Sequence, residues 1–208
     1  MRGKFITLEG QDGAGKSTNL SVIEQTLLKA GKPVLVTREP GGTQLGEKIR
    51  ELVLNSDDSQ FGDTAELLLI FAARAEHIES VIEPALKNGT WVLCDRFTDA
   101  TYAYQGGGRG IDQSRIKTLE NFVQNGLHPD LTFLLDVPVE VGNQRAGQRS
   151  DPDRFEMQEN EFKNGVRNCY LNRSKAEPSR FKIIDASEEL DIVKQSIEIA
   201  LKAYLKTT

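Results

Sequence analysis

Residues 10–17 read Gly-Gln-Asp-Gly-Ala-Gly-Lys-Ser, and no other stretch limits the possible folds of this chain as strongly. Gly10, Gly15, Lys16 and Ser17 satisfy the spacing GxxxxGK[ST] of a phosphate-binding loop, a turn that joins a strand to a helix. Both neighbours are present: Phe5-Ile6-Thr7-Leu8 is an apolar run, and Leu20, Ile23, Leu27 and Leu28 recur at helical spacing as far as Gly31. At such a turn the backbone N–H groups of a helix N-terminus face phosphate oxygens. Gly10, Gln11, Asp12, Gly13, Ala14, Gly15, Lys16, Ser17 and Thr18 are therefore the expected nucleotide-phosphate site. Within it, Lys16 reaches between the β- and γ-phosphates and the Ser17 hydroxyl serves Mg²⁺. A dinucleotide fingerprint fails on spacing, because its third glycine falls at Thr18.

Further apolar runs at Val34–Val36, Trp91–Cys94, Leu131–Leu135 and Phe181–Ile184 alternate with helical patterns. Short continuous apolar strands separated by helices predict a three-layer α/β fold, a five-stranded parallel sheet covered by helices on both faces. The longest helical pattern runs from Asp63 through Leu67, Phe71 and Ile78 to Ile82, where Pro84 is expected to kink or end it. Asp112 reads as the N-cap of a helix carrying Ile116, Leu119, Phe122 and Val123. No linker composition divides the 208 residues, so one domain over 1–208 is expected.

A net charge of −5 argues against a nucleic-acid backbone as partner. Cys94 and Cys169 sit in apolar or helical stretches, which suits reduced, packed thiols. No run approaches membrane-spanning length, and none resembling a leader precedes Glu9; a cytoplasmic protein without membrane partners is expected.

Ligands of open α/β sheets bind beyond the carboxyl ends of the strands. There the chain places Thr37-Arg38-Glu39-Pro40-Gly41-Gly42-Thr43, Asp95-Arg96 and Asp136. A GTPase would need a guanine-reading NKxD, and no Asn-Lys pair occurs. Motor-type ATPases supply a base for water through Asp-Glu at a strand end, whereas Asp95 is followed by Arg96. Arg38 and Arg96 at two strand ends instead predict a second phosphate site facing the loop, as transfer to a nucleotide requires. Asp136 is open between steadying the loop and capping the helix after Pro138.

TREPGGT, CDRF, TYAYQGGGRGID and RAGQRSDPDRFE, taken with the phosphate loop, resemble the thymidylate kinases of the bacterial type nearly end to end. The resemblance implies an ATP-dependent dTMP kinase of the P-loop NTPase fold, acting with Mg²⁺ as a homodimer to give dTDP and ADP for dTTP synthesis. It also implies that Arg38 and Arg96 hold the dTMP phosphate, that Asp95 lies near Mg²⁺ with Ser17, and that Asp12 accepts from the sugar 3′-hydroxyl. Phe71 is implied to stack on thymine and Arg74 to donate to its O4. Thr101 and Gln105 are implied to line the base pocket, with Tyr104 against C2′ of the sugar. Glu39 takes only a supporting role, and Phe97 and Ala100 carry no weight. Arg109 is open between a site residue and a solvated charge, and Gly106-Gly107-Gly108 reads equally as a mobile loop; His77 and His128 read as structural.

The variable loop positions Gln11, Asp12, Gly13 and Ala14 offer no cation, yet phosphoryl transfer spreads negative charge over the moving group. The segment at about 145–156 matches the lid of the resemblance and carries Arg145, Arg149 and Arg154. Arg149 is the first expected source of the missing charge and Arg145 the second; with Lys16, Asp12 and Arg96 they form the expected catalytic set. Two alternatives stay open on the residues alone. A deoxynucleoside kinase would need a carboxylate base such as Glu39, although Arg38 and the Pro-Gly-Gly turn fit a phosphate better. An ATP-binding regulatory module would not need Lys16, Asp95 and the lid arginines together.

Overall fold

The computed structural model describes residues 2–55, 61–147 and 153–207. Its frame is a parallel sheet of β1 (Phe5–Glu9), β2 (Val34–Arg38), β3 (Trp91–Asp95), β4 (Leu131–Asp136) and β5 (Phe181–Asp185), in the order β2-β3-β1-β4-β5. Each strand runs a residue or two past its apolar run. The added residues include Glu9, Arg38, Asp95, Asp136 and Asp185, so the pairing itself delivers polar groups to the carboxyl edge. Arg38 pairs in register with Asp95, which sets the ends of β2 and β3 side by side.

Strand residues alternate between two buried faces. Ile6, Leu8, Leu93 and Phe133 pack under α1 (Lys16–Lys29) and α9 (Leu190–Leu205) through Ile23, Leu27, Val193 and Ile197. Phe5, Val92 and Cys94 face the opposite way, onto Ile78, Ile82, Leu86 and Phe97. Burial on both faces explains why the strands read as continuous apolar runs rather than as alternation.

The helices on that second face build the walls of a cleft: α2 (Gln44–Asn55), α3 (Asp63–His77), α4 (Glu83–Lys87), α5 (Thr98–Thr101), α6 (Gln113–Gln124) and, across from them, α7 (Val139–Ala146) and α8 (Asn160–Ala176). Asp112 caps α6, its carboxylate accepting from the Ser114 amide at 2.7 Å. The long pattern from Asp63 is broken earlier than expected. A π turn over Ile78–Ile82 follows α3, and Pro84 stands in the first turn of α4, where the missing N–H costs nothing.

A second π turn, Tyr102–Gly108, continues α5. The three glycines within it are packed rather than free: a Cβ on Gly107 would lie 2.5 Å from the Gly165 carbonyl oxygen of α8. Only glycine permits that approach, which holds the turn carrying Tyr104 and Gln105 against α8.

Candidate active site

The phosphate loop closes on itself. Gly10, Gly13 and Gly15 adopt positive φ, and a Cβ on Gly13 would stand 2.1 Å from the Gly142 carbonyl oxygen of α7. Lys16 is folded back, its Nζ donating to the carbonyls of Gly10 and Gln11 at 3.0 Å each. Burial, and then the charge of Arg96, outweigh the nearby carboxylate of Asp12 and bring the Lys16 ammonium down to about 8. Ser17 is exposed at the loop exit and shares a cleft with Arg38 and Asp95.

Beside the loop a second cleft is lined by Asp12, Arg50, Ile70, Arg74, Arg96, Phe97, Thr101, Tyr104, Gln105 and Phe155 among others. Asp12 lies where the two meet. Its Oδ1 accepts from Arg96 Nη2 at 2.6 Å and its Oδ2 from the Tyr104 hydroxyl at 3.0 Å, with Lys16 Nζ 3.8 Å away. Burial alone would raise this carboxyl; the charges of Arg96 and Lys16 and the two hydrogen bonds hold it well below the usual carboxylate range. Arg96 adopts φ 65°, an uncommon conformation outside glycine, and its Nε is buried with no partner among the described residues.

Arg74, which also lines this cleft, is 1% exposed and held by three partners. Its Nε donates to Glu39 at 2.7 Å, and its Nη2 to Thr101 Oγ1 at 2.9 Å and to the Phe97 carbonyl at 3.2 Å. Nη1 is buried and has no partner among the described residues. Glu39 also meets His77 Nδ1 at 2.9 Å, and His77 Nε2 lies 2.7 Å from Thr37 Oγ1. His77, which reads as structural in the sequence, is thus one link in a buried chain from β2 to the cleft.

The structure brings Asp12, Lys16, Arg74, Arg96, Thr101, Tyr104 and Gln105 together, and it corrects three expectations. Phe71 is a core residue, 2% exposed, and is not among the residues lining the cleft. One residue along α3 turns a side chain by about 100°, so Ile70 lines the cleft in its place, while the Phe71 ring supports the Arg74 guanidinium at 4.8 Å. Arg38 is exposed and paired with Glu47 at 2.8 Å; it lines the Ser17 side and not the Asp12 cleft. Arg145 donates to the carbonyls of Ala186 and Ser187, the latter at 3.1 Å, on the other flank of the loop. Arg149 lies outside the described residues.

Sequence reasoning missed Arg50, Phe97, Ala100 and Phe155, all of which line the cleft. Arg50 follows Ile49 in the pattern of α2 and looks like a solvated helix charge. Its folding partner is the Pro40 carbonyl at 3.1 Å, and burial with the charges of Arg96 and Arg38 lowers its pKa. Glu9 was also missed. Burial, then the Asp99 charge, raise its carboxyl to about 8 against bonds from the Tyr170 hydroxyl and the Phe97 amide, both at 2.8 Å. Asp136 makes no side-chain bond capping α7; it holds Arg167 through two bonds, at 2.7 and 2.9 Å.

A glycine loop opening a helix, beside an arginine-lined cleft at the carboxyl edge of a parallel sheet, defines the class of P-loop phosphotransferases that act on nucleotides. The thymidylate kinase family profile matches residues 8–197. The chain is 54% identical to the thymidylate kinase of Pseudomonas syringae pv. tomato, over 99% of this chain and 98% of that one. It is likewise 54% identical to that of Neisseria meningitidis, over 98% of each. Its structure matches the crystal structure of thymidylate kinase from Ehrlichia chaffeensis with a TM-score of 0.78 and 34% identity, covering 97% of this chain and 99% of the other. The chain belongs to the thymidylate kinase family, and its activity is ATP-dependent phosphorylation of dTMP to dTDP.

Proposed function

We propose that dTMP sits in the Asp12–Phe155 cleft with its base at Arg74 and Gln105 and its phosphate at Arg96 and Arg50, facing an ATP held by residues 10–18 of a single kinase domain. The observation that carries this reading is the pair of buried donors on residues lining one cleft, Arg74 Nη1 and Arg96 Nε, which have no partner among the described residues. Buried donors are rarely left unpaired, and a nucleotide would supply a carbonyl to one and a phosphate to the other. A dTMP phosphate oxygen attacks the γ-phosphorus in line. The bond from that phosphorus to the β,γ-bridging oxygen breaks, and ADP leaves with its electron pair.

Lys16 exchanges its two carbonyl partners for the β- and γ-phosphates, and a phosphate oxygen beside the ammonium favours its charged form. Asp12 has two acceptor oxygens at the junction and takes the sugar 3′-hydroxyl, aligning the attacking phosphate while keeping Arg96 in place. Tyr104, packed edge-on to Phe155 at 5.4 Å, crowds a 2′-hydroxyl. Asp95 Oδ1 is buried without a partner among the described residues, in the cleft it shares with Ser17. Those two oxygens fit Mg²⁺, which keeps most of its ligands as water and phosphate and neutralises the β- and γ-phosphates when bound.

A homodimer through α3 and α6 accounts for Leu68 and Phe122, 51% and 85% exposed on two helices that pack together. No helix among the described residues is long and apolar enough to cross a membrane, and both cysteines are free and buried, which accords with action in the cytoplasm.

An acceptor screen tests the reading. ADP release should depend on dTMP and be negligible with thymidine, and 3′-deoxy-dTMP should lose turnover in the parent but not further in Asp12→Asn. Thymidine turning over as well as dTMP would contradict a phosphate acceptor. An equal loss on removing the 3′-hydroxyl in both proteins would take the sugar contact away from Asp12.

A further inference from the structure

Glu66 is a carboxylate to which the reaction above gives no task. It lies in the first turn of α3, wholly buried, and three polar side chains converge on it. Gln105 Nε2 donates to its Oε1 at 2.8 Å, Arg154 Nη2 donates to its Oε2, and Arg109 Nη2 stands 3.5 Å from the same oxygen. Donors meet both oxygens of Glu66, and a carboxylate accepts hydrogen bonds without donating any. Gln105 must therefore turn its NH₂ toward Glu66.

An amide is planar, so fixing its nitrogen also fixes its oxygen. Gln105 lines the cleft, and no hydrogen bond to its Oε1 occurs among the described residues. The cleft wall thus presents an acceptor at Gln105 and a donor at Arg74, whose own direction is fixed by Glu39. We propose that Glu66 is a positioning residue for substrate choice: by fixing the polarity of the Gln105 amide it admits pyrimidines with a ring N–H beside a carbonyl and rejects those with a bare ring nitrogen beside an amine. This rests on the proposed seat of the base between Arg74 and Gln105. Thymine has the admitted edge and cytosine the rejected one. Against cytosine, both the Gln105 oxygen and the Arg74 donor would face a group of their own kind, leaving buried polar atoms unpaired.

The test is Glu66→Gln, which keeps shape but lets residue 66 either donate or accept, so that Gln105 can turn over. Steady-state kinetics with dTMP and dCMP should show the ratio of kcat/KM for dTMP over dCMP falling by about tenfold, with the change in KM rather than kcat. The loss is partial because Arg74, still held by Glu39, opposes the cytosine amine. Arg154→Met removes the ion pair but leaves the Glu66–Gln105 bond, and should keep the ratio of the parent. An unchanged ratio in Glu66→Gln, or an equal fall in both variants, overturns the proposal while leaving the dTMP seat intact. Failure of the parent to phosphorylate dTMP would instead remove the seat itself. Should Glu66→Gln not fold, the parent still decides: nuclear magnetic resonance should find the Gln105 side-chain amide protons protected from solvent exchange, free and with dTMP. Exchange as fast as in an exposed glutamine overturns the assignment.

Discussion

The donor end and the acceptor end of the site solve the same problem, holding polar groups ready in the absence of a ligand, with different materials. At the donor end the cradle is backbone, nine consecutive residues in which Lys16 rests on carbonyls of its own loop. At the acceptor end it is side chains from distant parts of the chain, with Arg74 fixed by Glu39 and Gln105 by Glu66, partners 35 and 39 residues apart. A backbone cradle tolerates any nucleotide that ends in phosphates, because N–H groups read charge alone. A side-chain wall reads donors and acceptors, and that is what choosing one base requires. Generality belongs to the loop and selectivity to the wall.

Three perturbations would break or sharpen this contrast. The largest effect is expected from Lys16→Ala, which should lower turnover by on the order of 10³-fold or more, the scale of removing a cation from a transferring phosphate. Calorimetric titration should find dTMP affinity nearly unchanged; an equal loss of dTMP binding would mean that the two ends are not separate.

Next in size is the comparison of Arg50→Ala with Arg38→Ala. Arg50 lines the dTMP cleft, whereas Arg38 is exposed and paired with Glu47 on the Ser17 side. Arg50→Ala should raise the Kd for dTMP by about tenfold or more, as expected for a charge-assisted bond to phosphate. The loss in Arg38→Ala should be smaller, since exposed pairs contribute little. The reverse order would return the phosphate to the residue that the motif favours.

The smallest effect concerns pH. In the free protein the Lys16 ammonium titrates near 8, and adjacent phosphates raise its pKa. Below about pH 8 ATP meets a lysine that is already charged. Above it binding must take up a proton, so ATP affinity should fall as pH rises, by no more than about tenfold per unit. Titrations in buffers of different ionisation enthalpy should show proton uptake on ATP binding above pH 8 and little near pH 6; uptake that is absent throughout, or that persists in Lys16→Ala, removes Lys16 as its source.

Legibility in the sequence follows the same division. The loop, the five strands and the Asp112 cap all rest on local pattern, and local pattern survives in one dimension. Phe71 shows the limit: periodicity places it on the apolar side of α3, but which of Ile70 and Phe71 meets the cleft depends on the rotation of that helix against α2 and α6. Arg50 and Arg38 show it again. One follows Ile49 in a helix and the other Thr37 at a strand end, and only the approach of α2 to Pro40 and Arg96 separates the one that lines the cleft from the one on the surface. His77 gave no signal at all, since it ends α3 while its partners Thr37 and Glu39 lie on β2 and just after it.

By itself, then, the sequence determined that this chain binds a nucleotide phosphate at a strand-to-helix turn on a doubly covered parallel sheet, because each of those features is written in residues that are neighbours along the chain. Tertiary structure alone decided which side chains face the acceptor and with what polarity. Burial makes Glu39 and Glu66 strict about their partners, and burial is a property of packed elements that no single segment possesses.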